Sequence, residues 1–252
     1  MARALPPFLP RAVGTLAFVI LGLVAWEIEA RHLDSPALPP VSVVLASAVA
    51  LVQTGGLLDD VTASLERVLI GYALAATAGV VLGGLVAAGG RLGDALLGAV
   101  QLLRPIPPIA WVPLAILWCG LGDPSAWFIV FIGAFFPIFT QVARALARTP
   151  EPWLELARSL GGGRWFTLIH IRFPAAAAGI AAGLRTGLGL AWTSVVAAEL
   201  VGAQSGLGYR IQMHRLVLET DGVLVGMAVI GLLGFGMDLV ARRLERLVPG
   251  AP

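Results

Sequence analysis

The charged side chains of residues 150–174 are the part of this sequence best suited to chemistry between molecules. The stretch reads PEPWLELARSLGGGRWFTLIHIRFP and interrupts a chain dominated by Leu, Ala, Val and Gly. Carboxylates and guanidinium groups form ion pairs and directed hydrogen bonds, and consecutive glycines allow a sharp turn. The stretch is therefore suited to recognising a lipid surface or another protein.

Catalytic and metal-binding patterns are missing from the sequence. His32, His170 and His214 are scattered without a carboxylate or second His at ligand spacing, and Cys119 is alone, which excludes a cysteine metal site. There is no GxSxG and no HExxH pattern. All 17 basic residues are Arg, so a phosphate-binding loop, which needs a Lys, is excluded. We expect no metal, no cofactor and no enzymatic activity, and any ATP would be bound by another protein.

The composition indicates that this chain folds in a lipid bilayer. Hydrophobic residues make up 58% and charged residues 13% of the 252 positions, against roughly 45–50% and about 25% in soluble domains. The mean hydropathy is +0.89. The chain is predicted to be an all-α polytopic membrane protein with one domain over residues 1–252.

Six membrane spans are predicted from the apolar runs, which are long enough to cross a hydrocarbon core of about 30 Å. The first is read as a retained helix, because Glu27, Glu29 and Arg31 follow it where a signal peptide would have small residues. The segment 38–56 is too short to span and is expected to be an interfacial or partly buried helix. The third span has a broken beginning, because Pro105, Pro107 and other prolines remove backbone donors. The predicted spans are 12–28, 61–88, 96–119, 126–146, 174–201 and 222–240.

The positions of the arginines predict that both termini are cytoplasmic. The outer segments would then hold mainly Arg31, Arg210 and Arg215, with Arg67 near a span end. The predicted cytoplasmic segments hold the remaining basic residues used in this argument, namely Arg3, Arg11, Arg91, Arg144, Arg148, Arg158, Arg164, Arg172, Arg242, Arg243 and Arg246.

The loop between the fourth and fifth spans, about residues 149–173, is predicted to contain a short amphipathic helix. Thr149 would cap it, and Pro150 and Glu151 suit its first turn. The glycines after Leu160 would end it, with Gly161 in a positive-φ conformation. Such a helix lies on lipid or fits a groove in a soluble partner. Its expected apolar face consists of Trp153, Leu156, Ala157 and Leu160.

The spacing in this loop resembles the EAA motif of bacterial ABC importer permeases, which runs Glu-Ala-Ala, three residues, Gly, nine residues, Ile, one residue, Leu-Pro. All spacings match, and the two departures, Leu156 and Phe173, keep apolar side chains. Three further segments, residues 103–122, 131–139 and 198–209, resemble the nitrate, sulfonate and taurine branch of these permeases. The matching positions in the loop are Glu155, Leu156, Ala157, Gly161, Ile171, Phe173 and Pro174.

This resemblance implies a type I ABC importer permease with about six transmembrane helices and a cytoplasmic coupling helix. It implies a homodimer in the bacterial inner membrane, docked to cytoplasmic ATPase subunits and supplied by an extracytoplasmic solute-binding protein, with no nucleic-acid partner. The expected solute is a small anion such as an alkanesulfonate, taurine or nitrate. The loop arginines could instead bind lipid headgroups, and Glu155 could be a solvated residue. The residues expected to couple to the ATPase are Glu155, Ala157, Arg158, Gly161, Ile171 and Pro174.

A stripe of small residues follows one face of the predicted fifth span. Small residues allow helices in lipid to approach closely, so the stripe is expected to pack against a helix or to line the pathway. Arg185 and Glu199 are ionisable and lie in or near this span, where they would pair or reach the interface. The residues assigned to packing or to the pathway are Gly179, Gly183, Gly187, Thr193, Ser194 and Glu199.

Two other classes of protein remain as alternatives. An ion-coupled secondary transporter would usually have a larger bundle with internal repeats and ionisable residues in the middle of the membrane, and the two halves of this chain show no clear likeness. An intramembrane enzyme would need a nucleophile or a metal site. Transport in vesicles without any ATPase would favour the first alternative.

Overall fold

In the computed structural model, the described residues, 9–248, form helices and connecting turns, and side chains are described from residue 14 onward. Arg3 and the side chain of Arg11, which the orientation argument uses, lie outside this part. The helices are α1 (Leu9–Leu33), α2 (Val41–Gln53), α3 (Gly56–Ala88), α4 (Arg91–Leu103), a 3₁₀ helix (Pro108–Trp111), α5 (Val112–Cys119), α6 (Asp123–Ala147), α7 (Glu151–Ser159), α8 (Arg164–Thr167), a π-helical turn (Leu168–Arg172), α9 (Phe173–Ala175), α10 (Ala177–Gly202), α11 (Leu207–Leu216) and α12 (Thr220–Glu245).

Within the described residues, four helices are long and apolar enough to cross a membrane: α3, α6, α10 and α12. The third predicted span is not a single rod. Its two halves, α4 and the helical segment Pro108–Cys119, are bent by 91°. Pro105, Pro107 and Pro108 occupy or border the bend and cannot donate backbone hydrogen bonds, so the helix cannot continue through it. The first predicted span lies within α1.

The core of the bundle is α6, which packs between α3 and α10. Most of α6 is buried, as expected for a helix that is apolar on all sides. Close packing depends on glycines of α3: a Cβ at Gly71 would lie 2.6 Å from Val130 Cβ, and one at Gly83 would lie 2.8 Å from Val142 Cγ1. These distances are too short for any side chain, so glycine sets the separation of α3 and α6.

The outer helices expose apolar side chains where lipid would contact them. Phe18 of α1 and Leu232 and Phe235 of α12 are exposed. The short helix α2 packs against α12 and α3, and the hydroxyl of Ser47 donates to the carboxylate of Asp221. The prediction of a short, partly buried helix is therefore confirmed, with α12 as its main support.

Two ends of the bundle can be distinguished by their contacts. At one end, the guanidinium of Arg172 donates to the carbonyl of Ala87 at 2.6 Å, which places the loop after α6 beside the end of α3. At the other end, the N–H of Gly122 donates to the carbonyl of Gly202 at 3.1 Å. We call the first the loop end and the second the far end.

Candidate functional site

The loop helix α7 begins without the predicted cap. Pro150 occupies the N-cap position, where it makes no side-chain hydrogen bond to the helix. The Thr149 hydroxyl instead donates to the carbonyl of Leu146 at 3.0 Å, so it satisfies the last turn of α6. The predicted capping role of Thr149 is therefore wrong, because Pro150 occupies the N-cap position and the Thr149 hydroxyl is directed to the last turn of α6.

Some apolar side chains of α7 pack against the rest of the chain, and others are exposed on the surface. Leu154 and Ala157 are buried, whereas Trp153, Leu156 and Leu160 are 54%, 61% and 78% exposed. The predicted single face is therefore wrong in detail: Ala157 packs inward, and the other three point outward. Exposed side chains of this size on an amphipathic helix are typical of a surface that another molecule covers.

A groove of about 480 Å³ lies beside these exposed side chains. Trp153 and Leu156 form one side of the groove, and Ile171 and Pro174 form the other together with His170 and Ala175. The first and last parts of the motif are thus adjacent in space. The reason is the compact return of the chain through α8, the π-helical turn and α9.

Gly161 ends α7 with φ +78°, the positive value that the sequence predicts. Its N–H donates to the carbonyl of Arg158 at 3.0 Å, and the N–H of Gly162 donates to that of Ala157 at 2.8 Å. This pair of bonds is the Schellman motif, which satisfies the last carbonyls of a helix. No atom lies within 4 Å of a Cβ placed on Gly161, so the requirement for glycine comes from the backbone.

The charged residues of the loop differ in their partners. Arg158 pairs with Glu151 on the surface of α7, and Arg164 lies 5.5 Å from the centre of the Trp165 ring. The guanidinium of Arg172 donates a hydrogen bond to the carbonyl of Ala87. Glu155 is exposed, and no residue in the described part of the chain pairs with it. Its carboxylate is available to a group outside this chain.

The small-residue stripe of α10 faces α6 of the same chain. A Cβ on Gly179 would lie 2.7 Å from Ala145 Cβ, and one on Gly183 would lie 2.8 Å from Gln141 Cβ. A Cβ on Gly187 would lie closer still to Ile138 Cγ1. These contacts place α10 and α6 in close backbone approach.

Ser194 and Thr193 lie on different sides of α10. Ser194 is buried against Gly133, and its hydroxyl donates to the carbonyl of Leu190 at 2.7 Å. Thr193 is exposed and donates to the same carbonyl at 3.0 Å. Ser194 therefore extends the packed face, whereas Thr193 lies outside it.

Glu199 lies inside the protein at the far end and does not reach the interface. Its carboxylate accepts hydrogen bonds from the Ser64 hydroxyl at 2.8 Å, from Arg67 Nη1 at 2.8 Å and from the Gly208 N–H at 2.9 Å. A buried carboxylate is stable only when it is paired and hydrogen-bonded in this way. Glu199 was expected either to pair with another residue or to reach the membrane interface, and the structure shows that it is paired.

A wider group of polar residues surrounds this pair. Arg67 also donates to Asp123 Oδ1 at 2.7 Å and to the backbone and hydroxyl oxygens of Ser205. Asp60 accepts from the Gly206 N–H at 2.7 Å and pairs with Arg210. We call this group the far-end cluster; it consists of Asp60, Ser64, Arg67, Asp123, Glu199, Ser205 and Arg210.

The far-end cluster joins α3, α6, α10, α11 and the turn between the last two. Its two arginines are offset by three carboxylates, so it has no spare positive charge for an anion. No group of His, Cys, Asp or Glu suited to a metal occurs among residues 9–248.

Sequence reasoning missed Asp60, Ser64 and Asp123 and placed Arg67 only near a span end. The spacing of Asp60, Ser64 and Arg67, which share one face of an apolar helix, was the available signal.

Arg185 forms interhelical ion pairs outside the far-end cluster. It donates to Asp238 Oδ1 at 3.0 Å and to Glu245 Oε2 at 3.1 Å, both on α12. Because α12 has few other buried residues, these pairs supply a specific contact between α10 and α12.

Apolar spans closely packed through glycines, with an exposed amphipathic helix between two of them, define a polytopic membrane protein with a surface suited to binding a partner. The chain belongs to the family of binding-protein-dependent transport system inner membrane components, whose family model matches residues 75–249. It is therefore a permease subunit of an ABC importer and a component of the inner membrane.

Relatives with this architecture are known from sequence and from structure. The chain is 33% identical to the taurine transport system permease protein of Escherichia coli over 93% of this chain and 87% of that protein. It is 32% identical to the nitrate import permease protein of Synechococcus elongatus over 97% and 91%. An inward-facing structure of the MetNI methionine ABC transporter has a TM-score of 0.68 at 20% identity, covering 76% of this chain and 95% of that chain. The structural likeness shows that the fold is shared.

Proposed function

We propose that this chain forms the translocation pathway for a small anion and takes its energy from ATP hydrolysed by separate cytoplasmic subunits. The observation that carries the proposal is the loop helix α7, which exposes Trp153, Leu156 and Leu160 beside the unpaired Glu155. Apolar groups beside one free charge are the usual features of a docking helix. The chain itself binds no nucleotide, since it has no Lys and no phosphate loop.

The residues proposed to couple this chain to the ATPase act in two ways. Glu155 contacts the partner directly, and Arg158 is positioned by Glu151 on the same surface. Ala157 and Gly161 fix the helix and its end, whereas Ile171 and Pro174 border the apolar groove. Movement of α7 reaches the spans through the short turn at residues 148–150, because α6 and α7 are joined there. Binding of ATP to the partner can then favour one membrane conformation over another.

The proposed orientation places the loop end in the cytoplasm, with both termini on that side. Arg144, Arg148 and the arginines of the loop gather at this end, together with Arg91 after α3. Arg185 also pairs with Glu245, which brings the end of α12 and its arginines toward the start of α10. This distribution agrees with the positive-inside rule.

The proposed assembly contains two copies of this chain, two ATPase subunits and an extracytoplasmic solute-binding protein at the far end. Each copy acts as one permease domain over residues 1–252.

The substrate class is proposed from the relatives, which are named for taurine and nitrate import. Both solutes carry an oxyanion group, so the proposed solute is a small oxyanion.

Reconstitution with the partner ATPase and binding protein tests this function. Nitrate or taurine uptake into proteoliposomes is expected to require ATP and all partners. The double variant Trp153→Ala/Leu156→Ser should lose co-purification of the ATPase, because it removes the exposed apolar surface. Leu218→Ser, which changes an exposed apolar residue near the far end, is the matched control and should keep it. Uptake without any ATPase would contradict the proposal in favour of an ion-coupled transporter.

A further inference from the structure

A cavity with two unpaired arginines lies at the loop end, apart from α7. It has a volume of about 260 Å³ and lies between the last turn of α3, the second half of α4 and the last turns of α6. Its polar lining consists of Gln101, Arg104, Thr140 and Arg144, and the remaining walls are apolar. We call it the arginine cavity.

The two arginines reach the cavity from different spans. Arg104 directly follows α4, and its N–H donates to the carbonyl of Val100 at 2.9 Å, so it completes the last turn before the prolines. Arg144 lies one turn before the end of α6, four residues after Thr140 on the same face. The 91° bend follows Arg104, so Arg104 lies where the chain turns away from the axis of α4.

The charge of the cavity is not offset by the protein. No acidic residue lines it, and neither arginine has an ion-pair partner in the described part of the chain. Arg67, Arg185 and Arg210, by contrast, each pair with carboxylates. Both arginines are exposed, and two like charges beside apolar walls attract an anion more strongly than a single cation would.

The geometry points to a small oxyanion as the ligand, and we propose that the arginine cavity binds the transported oxyanion near the cytoplasmic exit. Guanidinium groups bind planar and tetrahedral oxyanions through paired N–H donors, and Gln101 adds an amide donor. The volume accommodates an ion with a few heavy atoms, since one water takes about 30 Å³. This inference rests on the proposed function, because it assumes that the solute is an anion and that the loop end is cytoplasmic.

The test uses the complete transporter in nanodiscs and proteoliposomes, with nitrate and taurine as probes. Arg104→Gln/Arg144→Gln removes both charges and keeps hydrogen-bonding side chains of similar polarity. We expect probe binding to the nanodisc complex to weaken at least tenfold and uptake to fall by a similar factor. ATPase co-purification should not change. Arg104→Lys/Arg144→Lys should restore part of the binding, because it returns the charge without the planar fork.

Arg148→Gln is the matched control, because Arg148 is an exposed arginine just after α6 that does not line the cavity. Unchanged probe binding and uptake in the double Gln variant would overturn the inference while leaving the anion importer intact. An equal loss in Arg148→Gln would show a general surface-charge effect and would also overturn it. If the double Gln variant binds both probes normally and only the dependence of uptake on phosphatidylglycerol is lost, the two arginines bind lipid headgroups. This result would also overturn the inference. Import of a neutral solute, with no uptake of either probe, would overturn the proposed function as well.

Discussion

Arg67 and Glu199 form an ion pair inside the protein, with Nη1 and Oε1 2.8 Å apart and side chains only 5% and 0% exposed. The two residues belong to α3 and α10 and are separated by 132 positions in the sequence. Ser64, Gly208 and Asp123 satisfy the remaining groups of the pair. The far ends of these helices are therefore connected by charges that cannot separate without leaving an unpaired group in an apolar environment.

Glu199→Ala is expected to destabilise the protein by about 3 kcal/mol, because breaking a buried pair leaves the other charge without its partner. The measurement is the thermal unfolding of purified protein in detergent. Glu29→Ala is the control, since Glu29 is an exposed acidic residue on α1. Arg67→Met/Glu199→Leu should recover part of the loss, because it removes both charges. Equal unfolding temperatures for Glu199→Ala and the wild-type protein would show that the pair has no stabilising role.

Gly161→Val should leave the protein inserted in the membrane but abolish ATP-driven uptake. A β-branched residue at φ +78° is strained by roughly 1–3 kcal/mol, so the end of α7 would rearrange. Gly161→Asn should keep most activity, because Asn tolerates this conformation. Gly163→Val is the control, because Gly163 has φ −68° and open space around it. The assays are membrane yield, ATPase co-purification and uptake; full uptake by Gly161→Val would mean that this turn does not position the coupling helix.

Ser194→Leu and Gly183→Leu should both prevent correct packing of α10 on α6. Ser194 lies against Gly133, and Gly183 lies against Gln141, so neither site has room for a leucine. Thr193→Leu is the control, because Thr193 is exposed on the same helix. Size-exclusion profiles and ATPase co-purification distinguish the outcomes. A well-folded Ser194→Leu complex that hydrolyses ATP without transport would instead assign Ser194 to the pathway.

Purified chain without its partners should bind no ATP at micromolar concentrations, since it lacks Lys and a phosphate-binding loop. Equilibrium binding of a fluorescent ATP analogue measures this directly. The complex with the ATPase subunits is the positive control. Saturable binding to the chain alone, competed by unlabelled ATP, would disprove the prediction.

The sequence by itself determined the features that depend on local chemistry. Apolar runs predicted the positions of α3, α6, α10 and α12, because lipid requires each span to satisfy its own backbone. The three glycines predicted the end of α7 and the positive φ of Gly161, since few other residues adopt that conformation. The proline run after Arg104 predicted a broken span, because proline lacks the donor that a helix needs.

Only the tertiary structure decided which groups meet across distant parts of the chain. Periodicity showed that Gly179, Gly183 and Gly187 share a face, but only the fold places that face against α6. Charged residues 132 positions apart, Arg67 and Glu199, become partners because their helices run side by side in opposite directions. Similarly, Arg104 and Arg144, 40 positions apart in the sequence, border one cavity because the end of α4 lies near the last turns of α6. Side-chain periodicity defines the faces of single helices, whereas burial and charge pairing depend on the helix that lies opposite.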